Sequence, residues 1–308
     1  HTTDDEKMSL YLPLLSETLE FFYRHYARDQ QGRLSVFPTQ SLETYWCMRP
    51  NSFENCPVND APTISALHVL TRRALDLPHN ITSESQRTLF TKLRDILPDV
   101  PITTDPQTGV EVVSPYESYP NAQSIHNVET PELYSTHPFR YFTLGTSKSQ
   151  GSDINPSIFC LENSTRTTCR YADSNTGWTQ GVLNAALLGR AERASKMVTE
   201  RANTSPAIGY VFPGFAQHYQ DYQPSADHFS NMNTALQLML IQPLDDTMEQ
   251  SRFLLFPSWP CSWDVDFKLH APRNTVVSGR RVNGTLQDFV VSPKERRADV
   301  IVMDCSRV

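Results

Sequence analysis

Pro224-Ser-Ala-Asp-His-Phe-Ser-Asn231 runs without a break into Met232-Asn-Thr-Ala-Leu-Gln-Leu-Met-Leu-Ile-Gln242, and the reading of this stretch decides the fold. Its second half is rich in Met and Leu, which predicts a buried helix beginning after Asp227. Its first half places an acid, an imidazole and two amides (Asp227, His228, Asn231 and Asn233) at the mouth of that helix. Read locally, Asp227 is an N-cap, the usual role of an Asp ahead of an apolar helix. Polar groups delivered to the end of a packed element are also how sites are built.

Upstream, the pattern stays helical. Leu12, Leu15, Leu19, Phe22, Tyr23 and Tyr26 recur at three- and four-residue steps, predicting a helix from Leu10 to about Tyr26, capped by Ser9, with Pro13 in its first turn. Asp60-Ala-Pro62 opens a second helix, with Pro62 in a helix-start position, and Thr82 a third that Pro98 stops. A helix to Leu188 and its hairpin mate from Ala191 to Ala202 precede the helix at Asp227. The segment 30–60 reads as a long ordered loop, and 100–171 as loop-like with short extended pieces, a length more often functional than idle. Downstream of Asp245 the period becomes alternating, and strands are expected at Arg252–Phe256, Asp264–His270, Asn274–Ser278, Leu286–Val291 and Asp299–Met303, with Asn283-Gly284 a hairpin turn. The expected fold class is therefore mainly α, with a helical domain over residues 1–250 and a small β domain over 251–308.

The 308 residues hold 39% hydrophobic side chains, with 12 Tyr, 15 Phe and 4 Trp, a globular composition. A formal charge of −7 with scattered Lys and Arg leaves no basic stripe for nucleic acid. No apolar run approaches the ~18 residues of a membrane span. The six Cys include two local pairs, Cys47/Cys56 and Cys160/Cys169, leaving Cys261 and Cys305 for a longer bridge. There is no C-x-x-C, so a zinc or thioredoxin-like reading has no basis. Four N-x-[ST] sequons, at Asn80, Asn163, Asn203 and Asn283, join the paired Cys in pointing to a secreted or extracellular glycoprotein. No signal peptide precedes His1, which reads as a mature chain or a piece of a longer one.

Nucleotide-loop, zincin and hydrolase-elbow motifs are absent, and neither a metal nor a cofactor is expected. What the chain does offer is carboxylates in aromatic, amide-rich loops. Aromatic faces stack on sugar rings, amides and carboxylates bind hydroxyls, and two carboxyl groups can do acid/base work. Glu43 lies beside Tyr45 and Trp46; a carboxyl group set against rings holds its proton more readily, as a general acid requires. An ordinary capping role is the plainer local reading. Asp227 reads either as a cap or as a base kept ionised by the helix end and nearby amides. Asp173 is its rival. His68 and His137 read as packed or hydrogen-bonded, Trp46 and Trp178 as sugar platforms or core, and Trp259 and Trp263 as packing near the β tail.

Taken in order, several of these segments resemble glycoside hydrolase family 95, the inverting α-L-fucosidases built on an (α/α)6 toroid. Ser41-Leu-Glu43 resembles that family's Ser-Pro-Glu-Asn, whose Glu is the general acid. Asp173-Ser-Asn-Thr-Gly-Trp178 is similar to its Asp-x-x-Thr-Gly-Trp-Ser, and Asp227-His-Phe-Ser-Asn231 to the segment carrying its base. Leu254-Leu-Phe-Pro-Ser-Trp-Pro260 resembles its entry to a C-terminal β domain. Asn127-Val-Glu-Thr-Pro-Glu-Leu-Tyr134, His137-Pro-Phe-Arg140 and the run Trp263–Pro272 are similar to large secreted relatives of that family. Leu42 and Thr44 stand where the family has Pro and Asn, His228-Phe229 where it has Gly-Asn, and its Arg-Gly-Gly run is missing, so fucose specificity is not implied.

The resemblance implies the C-terminal half of a toroid followed by a small antiparallel β-sandwich, the missing half coming from the same protein or a companion chain. It implies a carbohydrate substrate, Glu43 as general acid and Asp227 as general base, roughly 6.5–9.5 Å apart. Trp46, Asn127, Glu129, Trp178, His228 and Asn231 would line the pocket. A non-catalytic structural or sugar-binding glycoprotein is the alternative.

Overall fold

The computed structural model describes residues 5–47, 53–120, 125–144, 156–162, 169–175, 179–203, 226–244 and 252–303. The chain divides into two compact units, one formed by Asp4–Phe142 with Ser149–Ala172, the other by Asp173–Val308 with Thr143–Lys148.

In the first unit, helix α1 (Asp5–His25) buries Leu12 and Leu19 and packs Leu15, Phe22, Tyr23 and Tyr26 against the core, the face expected from its spacing. The helix begins before Ser9, so Ser9 is not its cap, and Pro13 lies inside the helix, where it has no N–H to donate. Helix α2 (Ala61–Leu75) is capped by Asp60, whose side chain accepts the Thr63 N–H, and its Pro62 occupies the expected early position. Helix α3 (Glu84–Arg94) starts one residue later than expected: Ser83, not Thr82, forms a capping box with Gln86. These helices close over a core that includes Leu34, Ile64, Leu67, Phe90, Leu93 and Phe142.

The intervening segments are structured rather than open. β1 (Ala27–Arg28) pairs with β2 (Leu34–Ser35), β3 (Val58–Asp60) with β6 (Tyr116–Ser118), and β4 (Ile102–Thr104) with β5 (Glu111–Val113), all antiparallel. A 3-10 turn at Pro131–Ser135 packs against α2 and against α4 (Pro156–Glu162).

In the second unit α5 (Gly181–Leu187) packs on α6 (Ala191–Asn203) and α7 (Ala226–Leu240). Helix α7 buries Ala235, Leu238 and Met239, but it stops at Leu240. Ile241–Pro243 continues as strand β7, antiparallel to β8 (Phe253–Leu255), whose other edge takes β12 (Val300–Val302) in parallel. Gln242, buried in β7, donates through Nε2 to the carbonyls of Ala186 (2.6 Å) and Leu238 (2.9 Å), tying the strand back to α5 and α7. A second sheet is the meander β9 (Val265–Ala271), β10 (Thr275–Val282) and β11 (Thr285–Ser292). Asn283 and Gly284 join β10 to β11 with φ of 51° and 74°, the pair of positive angles a two-residue type I′ turn needs. Trp259 is buried, donates its indole N–H to the Trp263 carbonyl and meets the Trp263 ring edge-on, a packing role.

The mainly α expectation, with half a toroid and a β tail, is overturned. Among the described residues helices alternate with several small sheets in both units, so the fold is mixed α/β. Strand pairing reaches well outside the expected tail: three small ladders use segments whose polar, Pro-rich composition reads as loop, and α7 passes directly into a strand. A two- or three-residue strand is too short to carry an alternating pattern, and in the β3–β6 pair the partner is also far off in sequence.

Disulfides join Cys47 to Cys56 and Cys160 to Cys169, as the spacing predicts, and they fit an oxidising compartment. Cys261 is disulfide-bonded, while Cys305 lies outside the described residues. Asn80, Asn203 and Asn283 are exposed, and Asn163 lies outside the described residues. Among the described residues no helix is long and apolar enough to cross a membrane.

Candidate functional site

In the first unit, Ser41 and Tyr45 exchange backbone hydrogen bonds of 3.1 and 3.2 Å, folding the residues between them into a tight turn. Leu42 takes a φ of 53° there, a left-handed conformation that costs a non-glycine residue unless its surroundings hold it. Both ends of the turn are anchored inward. The Ser41 hydroxyl donates to the Pro115 carbonyl at 2.8 Å, and the buried Tyr45 ring meets Tyr116 and Tyr119 edge-to-face. Just upstream, Thr39 donates to the Asp60 carboxylate at 2.6 Å, fastening the loop to the cap of α2. Burial raises the proton affinity of Asp60, against the pull of the Thr39 and Thr63 donors. With its neighbours turned inward, Glu43 is left exposed at the tip.

Residues 126–129 close on this turn. Asn127 Nδ2 donates to Glu43 Oε2 at 2.9 Å. Glu129 Oε2 accepts the Glu43 backbone N–H at 2.8 Å and the Thr44 hydroxyl at 3.4 Å. The His126 N–H donates to the Thr44 carbonyl at 3.0 Å. The Trp46 ring, still 41% exposed, lies parallel to the His126 imidazole, centroids 4.4 Å apart and planes 9° apart. Tyr119 donates its hydroxyl to the Trp46 carbonyl at 2.8 Å, fixing the backbone below the ring. Burial, with the charge of nearby Glu43, pushes the Glu129 carboxyl above the ordinary carboxylate range, while the Glu43 N–H pulls it down.

Thus Glu43, expected as the acid, and Trp46, Asn127 and Glu129, three of the residues expected to line its pocket, are brought together. Among the described residues neither Glu43 nor Glu129 has an ion-pair partner, and these contacts gather the exposed Glu43 carboxyl, the Asn127 amide and the Trp46–His126 stack. Such a surface can accept hydrogen bonds from hydroxyls and stack against an apolar ring face. Among the described residues no group of three His, Cys, Asp or Glu side chains is placed to hold a metal ion.

The remaining expected residues belong to the other unit. Asp227 and His228 fall in the first turn of α7, inside the helix rather than ahead of it, but their side chains lie outside the described residues. Asn231 is half-buried one turn on, and Trp178 lies outside the described residues. Asp173 is exposed. His68 is hydrogen-bonded to the Pro98 carbonyl at 2.8 Å, and burial pushes the His137 imidazole down to about 4; both are packed, as expected of lone histidines.

His126 and Thr44 are not legible in the sequence as site residues, and neither is the buried Glu132 carboxyl in the same unit. His126 adjoins Asn127 in sequence, the one available hint. Glu132 is 2% exposed, accepts the Cys169 N–H at 3.2 Å, and burial raises its carboxyl to about 7.

No protein-family model matches the chain, and no curated protein matches it.

Proposed function

We propose that this chain is a secreted, carbohydrate-active glycoprotein of the glycosidase kind, hydrolysing a glycosidic bond with inversion. On the resemblance, Glu43 takes the part of the acid that protonates the glycosidic oxygen and Asp227 the part of the base that activates water. The observation that carries the reading is the exposed Glu43 carboxyl, held by Asn127 beside the Trp46–His126 stack. Polar groups that bind hydroxyls, set next to an open aromatic face, suit a sugar ring better than a flat apolar or a highly charged ligand. The ordered resemblance of the Glu43, Asp173 and Asp227 segments to family 95 supplies the roles. His228, Asn231 and Trp178 belong to the same proposal as sugar contacts. A companion polypeptide supplying the rest of the pocket is part of it too, and activity appearing only when such a chain is added would identify one.

The second reading, a non-catalytic sugar-binding glycoprotein, is favoured by one feature: an amide donor already occupies a Glu43 oxygen, which suits a carboxylate acting as a fixed acceptor. Assay against a panel of aryl glycosides separates the two. The glycosidase reading expects turnover that falls by about 10²-fold or more in Glu43→Gln and in Asp227→Asn. Turnover unchanged in both variants refutes the assignment. Sugar binding without any turnover points to the second reading.

A further inference from the structure

We infer that Glu129 is a positioning residue: its carboxylate holds the Ser41–Tyr45 turn, and through that turn the Glu43 side chain, instead of facing the sugar. This rests on the reading of Glu43 as the proton donor and changes the role expected for Glu129 from ligand to support.

The geometry separates the two roles. Glu129 Oε2 points at the backbone of the turn, accepting the Glu43 N–H at 2.8 Å and the Thr44 hydroxyl at 3.4 Å. The Thr44 hydroxyl also lies 3.5 Å from the Glu129 carbonyl. A hydrogen bond from an amide to an ionised acceptor is among the stronger ones available to a loop. It acts one residue from Leu42, whose φ of 53° is a conformation that leucine keeps only under restraint. Asn127, two residues earlier on the same segment, holds the other end of Glu43 by its carboxylate. One short segment therefore grips Glu43 at both backbone and side chain, fixing the torsions between them. The sugar-facing groups are then Glu43, Asn127 and the Trp46–His126 stack. Release of Glu129 frees the turn to relax at Leu42 and lets Glu43 leave its place.

The test compares Glu129→Ala and Glu129→Gln with the wild-type chain by two readouts. The first is NMR amide exchange at Glu43 and Thr44, which needs no substrate. The second is kcat and KM on whichever glycoside the wild type hydrolyses. A positioning role expects exchange at Glu43 to quicken by about tenfold or more in the alanine variant. The increase is smaller in the glutamine variant, whose amide oxygen still accepts. It also expects kcat to fall in the same order while KM moves by less than about twofold. Unchanged exchange with a raised KM and preserved kcat makes Glu129 a sugar ligand and overturns the inference. Should the alanine variant fail to fold, the glutamine variant decides by the same two readouts. If the wild type cleaves no glycoside, the reading of Glu43 fails, yet exchange at Glu43 still decides whether Glu129 holds the turn.

Discussion

Replacing Glu132 with Gln should flatten the pH dependence of stability in one definite window. The carboxyl is 2% exposed, and burial, outweighing the N–H groups of Cys169 and of Glu132 itself, raises it from 4.5 to about 7. Between those values the folded protein keeps a proton that the unfolded chain gives up. Each step upward in pH therefore favours unfolding: the stability conferred by protonated Glu132 is complete below about 4.5, declines across the window and is gone above about 7. At 1.36 kcal/mol per pH unit the loss is ~3 kcal/mol, a large part of the ~5–15 kcal/mol that stabilises a folded protein. Gln cannot ionise, yet its carbonyl oxygen can still accept the Cys169 N–H. Urea denaturation at pH 5 and pH 8 should therefore show wild-type stability falling by ~3 kcal/mol more than that of the variant. His137, lowered to about 4, works in the opposite direction, gaining stability as pH rises from 4 towards 6.5. It is common to both proteins and cancels in the difference. Profiles that run parallel from pH 5 to 8 would refute the reasoning, since Glu132 would then have to be ionised in the fold without cost.

Three further outcomes follow from individual contacts. On the proposed carbohydrate reading, Trp46→Ala should weaken sugar binding by roughly 2- to 10-fold, seen by calorimetry, with little change in melting temperature because the ring is 41% exposed; unchanged binding counts against that reading. Asp60→Ala removes both the cap of α2 and the acceptor for Thr39, and should cost ~1–3 kcal/mol in chemical denaturation; a change under ~0.5 kcal/mol would show that the cap is idle. Gly284→Val places a β-branched residue at a φ of 74° and should lower the melting temperature through the β10–β11 hairpin, whereas Gly284→Asn should be nearly neutral.

The helical faces were open to sequence reading because they are periodic. Leu12, Leu19 and Phe22 lie where three- and four-residue steps put them, Asp60 caps α2, and Asn283-Gly284 turns a hairpin that no β-branched residue could turn as easily. The two local disulfides were equally legible, since Cys nine residues apart leave few other partners. These are signals carried by neighbours in the chain. The mixed α/β fold was not legible for the opposite reason. Val58 finds Ser118 far along the chain, while Ile102 with Val113 and Ile241 with Leu255 pair through strands of only three residues; a distant partner or so short a strand leaves almost no local pattern. Sequence singled out Glu43, Asn127, Glu129 and Trp46 as residue types that suit a sugar. Only tertiary structure could bring residues 41–46 and 126–129 together and add His126 to the stack. It also turned the Glu129 carboxylate onto a backbone N–H, because where a side chain points is decided by what packs around it and not by its place in the chain.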